Sequence, residues 1–118
     1  MGSQAPAWVT ALLFAAQVLL AACLFTMAHL GARGKLPRNP FFGLRTGRAQ
    51  AGDDVWRHVH RRAAPLAYAA VAAVLVGLVA MALADGAGLL VALLVTDAAV
   101  GVLLVLATWR GHRDLPTG

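Results

Sequence analysis

Charge is the first thing this chain has little of. Only 13% of its 118 residues are Asp, Glu, Lys or Arg, against about 25% in ordinary soluble domains. Hydrophobic residues make up 60%, and the mean hydropathy is +0.73. A soluble fold of this composition would lack polar surface, so a lipid bilayer is the expected solvent. Cysteine is nearly absent: Cys23 stands alone inside an apolar run, which excludes an intramolecular disulfide and a cysteine-based metal cluster. Acidic residues number five against ten basic ones, for a net charge of +5. That excess does not point to nucleic acid, because the basic residues border apolar runs, where positive charge fixes membrane topology.

What is present is sharply segregated. Eight of the ten basic residues lie within residues 31–63, namely Arg33, Lys35, Arg38, Arg45, Arg48, Arg57, Arg61 and Arg62; the other two are Arg110 and Arg113. The three apolar runs, about 8–30, 64–84 and 89–109, each approach the roughly 20 residues that cross the hydrocarbon layer. The expected fold is all-α: a single membrane domain, a three-span transmembrane helical bundle with an ordered cytoplasmic loop (31–63) and a short interfacial helix. Neither the N-terminal tail nor the Asp85-Gly86-Ala87-Gly88 turn carries Lys or Arg. The positive-inside rule then places the N-terminus outside and the loop and C-terminus inside. Arg outnumbers Lys nine to one in an Ala-rich chain, a composition that suggests a GC-rich bacterial genome. Leu20-Ala21-Ala22-Cys23 looks like a lipoprotein cleavage box, but no positive n-region precedes it, so residues 1–30 are expected to be retained. Trp8 and Trp109 suit opposite interfaces.

Two features stand out inside the spans. Ala70, Ala73, Gly77, Ala80 and Ala84 form a small-residue seam spaced 3, 4, 3, 4 along the second span. Such a seam admits a close neighbour, either the other spans of this chain or a partner. Asp97 is the only carboxylate within a span, and Gln17 lies at a matching depth, each about 12–14 Å below the outer surface at 1.5 Å per residue. The two are expected to face each other, directly or through a water, with Thr96 as a further partner. The pair reads as a polar bond between helices, and alternatively as a proton or ion site.

The loop reads in two parts. Residues 34–50 contain Pro37, Pro40, Gly43 and Gly47, which preclude a continuous helix; Phe41 and Phe42 sit in the middle. Asp53 suits an N-cap, with Asp54 in the first turn. A helix through Arg62 then puts Trp56 and His60 on one face, Val55 and Val59 beside them, and Arg57 and Arg61 in a basic stripe. Pro65 is expected to break or kink it near residues 62–65. The arginines at 45, 48, 57, 61 and 62 suit anionic lipid head groups. His58 and His60, two apart, face different sides of a helix, and no residue set has metal-ligand spacing. No metal, cofactor or catalytic residue is expected, and no enzyme.

The stretch Asn39-Pro-Phe-Phe-Gly-Leu-Arg-Thr46, followed by Trp56 and His60 before a span, resembles the SdpI-like family of small bacterial membrane proteins. The resemblance covers about residues 35–83 and rests on Asn39, Gly43, Arg45, Thr46, Trp56 and His60. The family often has Pro after Arg-Thr, where this chain has Gly47. The resemblance implies a non-enzymatic role like that of the family's namesake, an immunity protein against a secreted peptide toxin. It also implies that the six residues form either a folded cap or a site for a ligand or partner. The partners implied by the whole reading are membrane lipids, anionic ones included, with a second copy or a larger membrane enzyme or transporter as the alternative.

Overall fold

A computed structural model describes residues 6–37, 43–44 and 49–113. Among these, all regular structure is helical. Helix α1 spans Ala7–Ala32, α2 spans Asp53–Leu83 and α3 spans Ala87–His112, with a single 3-10 turn at Ala49–Ala51 ahead of α2. Each of the three long helices is long and apolar enough to cross a membrane, and the chain is a multi-pass membrane protein.

Helix α2 is the axis of the molecule. It packs along both α1 and α3, whereas α1 and α3 make little contact with each other. Its inward positions Trp56, Val59, Ala63, Ala67, Ala70, Val74, Gly77 and Met81 are buried and follow the alternating three- and four-residue steps of a packing seam. Helix α1 answers with Gln17, Ala21, Leu24, Ala28 and Gly31, and α3 with Thr96, Val100, Ala107 and Gly111. Lipid offers no hydrophobic drive for helices to associate, so small residues that permit close approach carry the packing. A Cβ at Gly31 would lie 3.1 Å from both Cβ and O of His60, and one at Gly111 would lie 2.7 Å from Val59 O. The His60 turn of α2 is thus gripped between a glycine of each neighbour.

The helix ends follow local chemistry. At the end of α1 the Lys35 N–H donates to Leu30 O at 2.8 Å and Gly34 N–H donates to Gly31 O at 3.2 Å. That is a Schellman closure, whose left-handed residue is Gly34 at φ 68°. The N-cap of α2 is Gly52, one residue before the expected Asp53; Asp53 and Asp54 both fall in the first turn, where their charge opposes the helix dipole.

Two expectations need correction. Residues 53–62 are not a separate interfacial helix, and there is no break at 62–65: α2 is continuous through Pro65. The proline does remove the N–H that would bond Arg61 O. Ala63 and Ala64 are buried, so packing around this turn opposes a break. The Arg110 side chain of α3 donates from Nε to Arg62 O, the carbonyl next to the one the proline deprives of its donor, at 3.0 Å. The face bearing Val55 and Val59 does not lie on lipid either, because Val59 is fully buried. The 31–63 loop accordingly shortens to the segment between Ala32 and Asp53.

The small-residue seam is turned mainly toward α3. Ala70 and Gly77 are buried, Ala73 and Ala84 half-buried, and Ala80 exposed. The Thr96 side chain occupies the space where a Cβ on Gly77 would stand. Trp8 and Trp109 are exposed near the start of α1 and the end of α3.

Candidate functional site

Three of the six motif residues, Gly43, Trp56 and His60, come together where the loop meets the base of α2. Asn39, Arg45 and Thr46 lie outside the described residues, as do Phe41 and Phe42. Trp56 and His60 are four apart on α2, so their rings lie on one face. Their centroids are 4.2 Å apart at an interplanar angle of 36°. Both are almost entirely buried, at 1% and 3% exposure. Their polar atoms are fully used. Trp56 Nε1–H donates to Leu36 O at 2.9 Å, tying the indole to the chain leaving α1. Leu44 N–H donates to His60 Nε2 at 2.8 Å. With Nε2 accepting, the neutral ring carries its proton on Nδ1, which donates to Trp56 O at 2.9 Å.

Gly43 closes this knot. Its φ is 102°, a backbone conformation that suits only glycine comfortably. A Cβ there would also lie 2.7 Å from His60 Nε2, 3.2 Å from Trp56 Cζ2 and 3.3 Å from Leu36 Cδ2. The glycine lets the backbone pass directly over the Trp56 and His60 rings. Burial pushes the His60 imidazole below its ordinary value of 6.5; the bond to Trp56 O acts in the opposite sense, and His112 on α3 adds a smaller downward push. The ring is therefore suited to the neutral tautomer that the two bonds require. Its two nitrogens are occupied by backbone, which leaves neither for acid–base work or metal binding. Among the described residues no group of three or more His, Cys, Asp or Glu is placed to hold a metal ion.

Leu36, Leu44, Gly31 and Gly111 belong to this knot, although nothing in the motif marks them. Leu36 and Leu44 take part through backbone groups, which any residue type supplies. The glycines carried a visible signal: each lies within two residues of the end of an apolar run at the basic side of the molecule.

The second predicted constellation lies within the spans. Gln17 Nε2 donates to Asp97 Oδ1 at 2.9 Å, a direct bond between α1 and α3, which otherwise scarcely touch. Gln17 is buried, whereas Asp97 is exposed. Thr96 points away, toward Gly77, and takes no part in the pair.

Residues 35–109, well over half of the chain, match the SdpI/YfhL protein family. The matched region runs from the residue after the α1 closure through the knot and both following spans. No curated protein and no solved structure matches the chain.

Proposed function

The chain belongs to the SdpI/YfhL protein family, and from that premise we propose that it is a non-enzymatic protector of the bacterial cytoplasmic membrane. On this reading it gives immunity against a membrane-active peptide toxin or related envelope stress. Its N-terminus faces outward, and the basic loop and C-terminus face the cytoplasm. The observation that carries the reading is the Gly43–Trp56–His60 knot. It spends the polar atoms of Trp56 and His60 on backbone groups of Leu36, Leu44 and Trp56, which supports a shaped binding surface rather than a reactive centre. Asn39, Arg45 and Thr46, on the same loop, are the residues proposed to meet the ligand or partner.

The test is survival. Cells lacking the chain are challenged with a panel of membrane-active peptides and complemented with wild type, Arg45→Ala or Trp56→Ala, at matched membrane abundance. Wild type should restore survival, Arg45→Ala should fail while still folded, and Trp56→Ala should fail through loss of fold. If no peptide separates deletion from wild type, the protective reading is wrong.

One observation favours a second reading. A groove of about 470 Å³ between α2 and α3 is lined by Ala73, Gly77, Ala80, Val95 and Thr96, among others. An accessory subunit would seat a helix of a larger membrane enzyme or transporter there. Stoichiometric co-purification of a foreign membrane protein would favour this role over immunity.

A further inference from the structure

The base of the molecule gathers positive charge on one edge of the α1/α2 groove. Arg57 and Arg61 lie one helical turn apart on α2. Both reach Gly34, where α1 closes: a Cβ at Gly34 would have Arg61 Nη2 and Arg57 Cδ as its neighbours. Arg33 and Lys35 flank that glycine, and all four cationic residues are exposed. Against them stand Asp54, which pairs with Arg57, and Asp53. Beneath lies a concavity of about 370 Å³ with Lys35, Asp53 and Arg57 on its rim and Leu36 and Trp56 in its wall.

The same groove changes character toward the membrane. Seven residues beyond Arg61, about 10 Å at 1.5 Å per residue, Tyr68 projects from the same face of α2. Its hydroxyl lies 3.4 Å from His29 Nδ1 on α1. Phe25 stacks on His29 with centroids 5.5 Å apart and meets Tyr68 edge-on at 6.0 Å. Phe25 and Tyr68 are both exposed. Cations therefore give way to an amphipathic aromatic pair and then to an apolar ring over a distance comparable to the interfacial layer, which is roughly 5–8 Å thick on each side of the hydrocarbon.

We propose that this edge is a binding site for one anionic phospholipid of the leaflet on the basic-loop side. Its phosphate lies among Arg33, Lys35, Arg57 and Arg61. Its ester region lies at the His29–Tyr68 pair, and an acyl chain runs along Phe25. Three arginines and a lysine match phosphate oxygens by charge and by donor count. Tyr68 and His29 supply polar tips on apolar bodies at the depth where the head group ends. The site does not depend on the protective role, since it is built from side chains of α1, its C-terminal closure and α2, outside the Asn39–Thr46 stretch.

The test uses the full chain in nanodiscs of phosphatidylcholine with increasing phosphatidylglycerol, read by native mass spectrometry of retained lipid. Wild type should retain phosphatidylglycerol over phosphatidylcholine by tenfold or more. The double variant Arg57→Gln/Arg61→Gln should lower that preference at least fivefold. Tyr68→Ala should weaken retention of both lipids while leaving the charge preference. Arg110→Gln/Arg113→Gln, which changes as many charges at the same end of the molecule, should keep the preference within twofold. All variants are made with Trp8 and Trp109 changed to Phe, so that an unchanged Trp56 emission confirms that each is folded. The proposal is overturned if the Arg57/Arg61 pair has no effect, if the Arg110/Arg113 pair has an equal one, or if inorganic phosphate displaces the lipid at millimolar concentration.

Discussion

Gly43→Ala isolates the loop-to-helix knot with a single methyl group. Two costs combine. The backbone at φ 102° is disfavoured for any residue with a Cβ, by about 1–2 kcal/mol. The new methyl would sit 2.7 Å from His60 Nε2 with Trp56 and Leu36 close behind, and overpacking of this kind costs about 1–3 kcal/mol. Relief by moving the loop would break the bond from Leu44 N–H to His60, itself worth about 0.5–1.5 kcal/mol. The expected destabilisation is about 2–5 kcal/mol. The assay is reversible denaturation in mixed micelles, with Trp8 and Trp109 changed to Phe. Both are exposed, and their removal leaves Trp56 as the only tryptophan reporter. The variant should unfold earlier, and Trp56 emission should move to the red before the helices melt. Gly101→Ala is the control: a Cβ there meets nothing within 4 Å, and alanine is the better helix former, so stability should hold or rise slightly. If Gly43→Ala matches this control in both stability and emission, the loop is not seated on Trp56 and His60 as argued.

The knot should also respond to acid. Burial holds His60 below its ordinary value of 6.5 in the folded protein, so its contribution is complete above pH 6.5 and is lost as the pH falls toward the folded value; a pH series of the same unfolding assay should show this slope, and His60→Gln should flatten it. Gly77→Val should destabilise α2–α3 packing by about 1–3 kcal/mol, because Thr96 fills the space a side chain would need. Combining Gly77→Ala with Thr96→Ala should recover part of the Gly77→Ala loss, and strict additivity in that cycle would argue against the contact. A double-mutant cycle on Gln17→Leu and Asp97→Leu should give a coupling of about 0.6–1.7 kcal/mol, the range for hydrogen bonds between membrane helices; zero coupling would place the two side chains apart.

The sequence made the spans legible because charge and hydropathy report the solvent directly. The Gln17–Asp97 bond was legible because two residues in parallel-running spans share a depth set by residue count alone. The Pro65 region misled for a physical reason. Proline's local preference argues for a break, but that preference competes with packing, and Ala63 and Ala64 are buried within a continuous helix. One turn before those alanines, Gly31 on α1 comes close to His60 and Gly111 on α3 comes close to Val59, contacts from residues far away in sequence that carry no periodic signal. The partner of Trp56 was hidden for a different reason. Its indole proton goes to Leu36 O, a backbone group, and no residue type advertises a carbonyl.

The distribution of burial along α2 follows from the two solvents it meets. Trp56, Val59 and His60, among its most buried residues, lie before the apolar stretch that begins near residue 64, at the end facing water. There the hydrophobic effect rewards covering an indole and a valine. Further along α2, lipid competes equally for apolar surface, and only close packing and polar bonds favour contact between helices. Accordingly Leu75, Val76, Val79 and Leu83 remain exposed, and α3 is the least covered of the three spans. The inward contacts at this depth combine the fully buried Val74 and Met81 of α2 with small or polar pairs, Gly77 against Thr96 and Gln17 against Asp97. The water-facing knot therefore sets how the three helices are held together at one end, and the sparse contacts within the bilayer set their register further along. Loosening the knot should splay the bundle from its basic end, whereas loosening the Gln17–Asp97 bond should free α1 from α3 and leave both on α2.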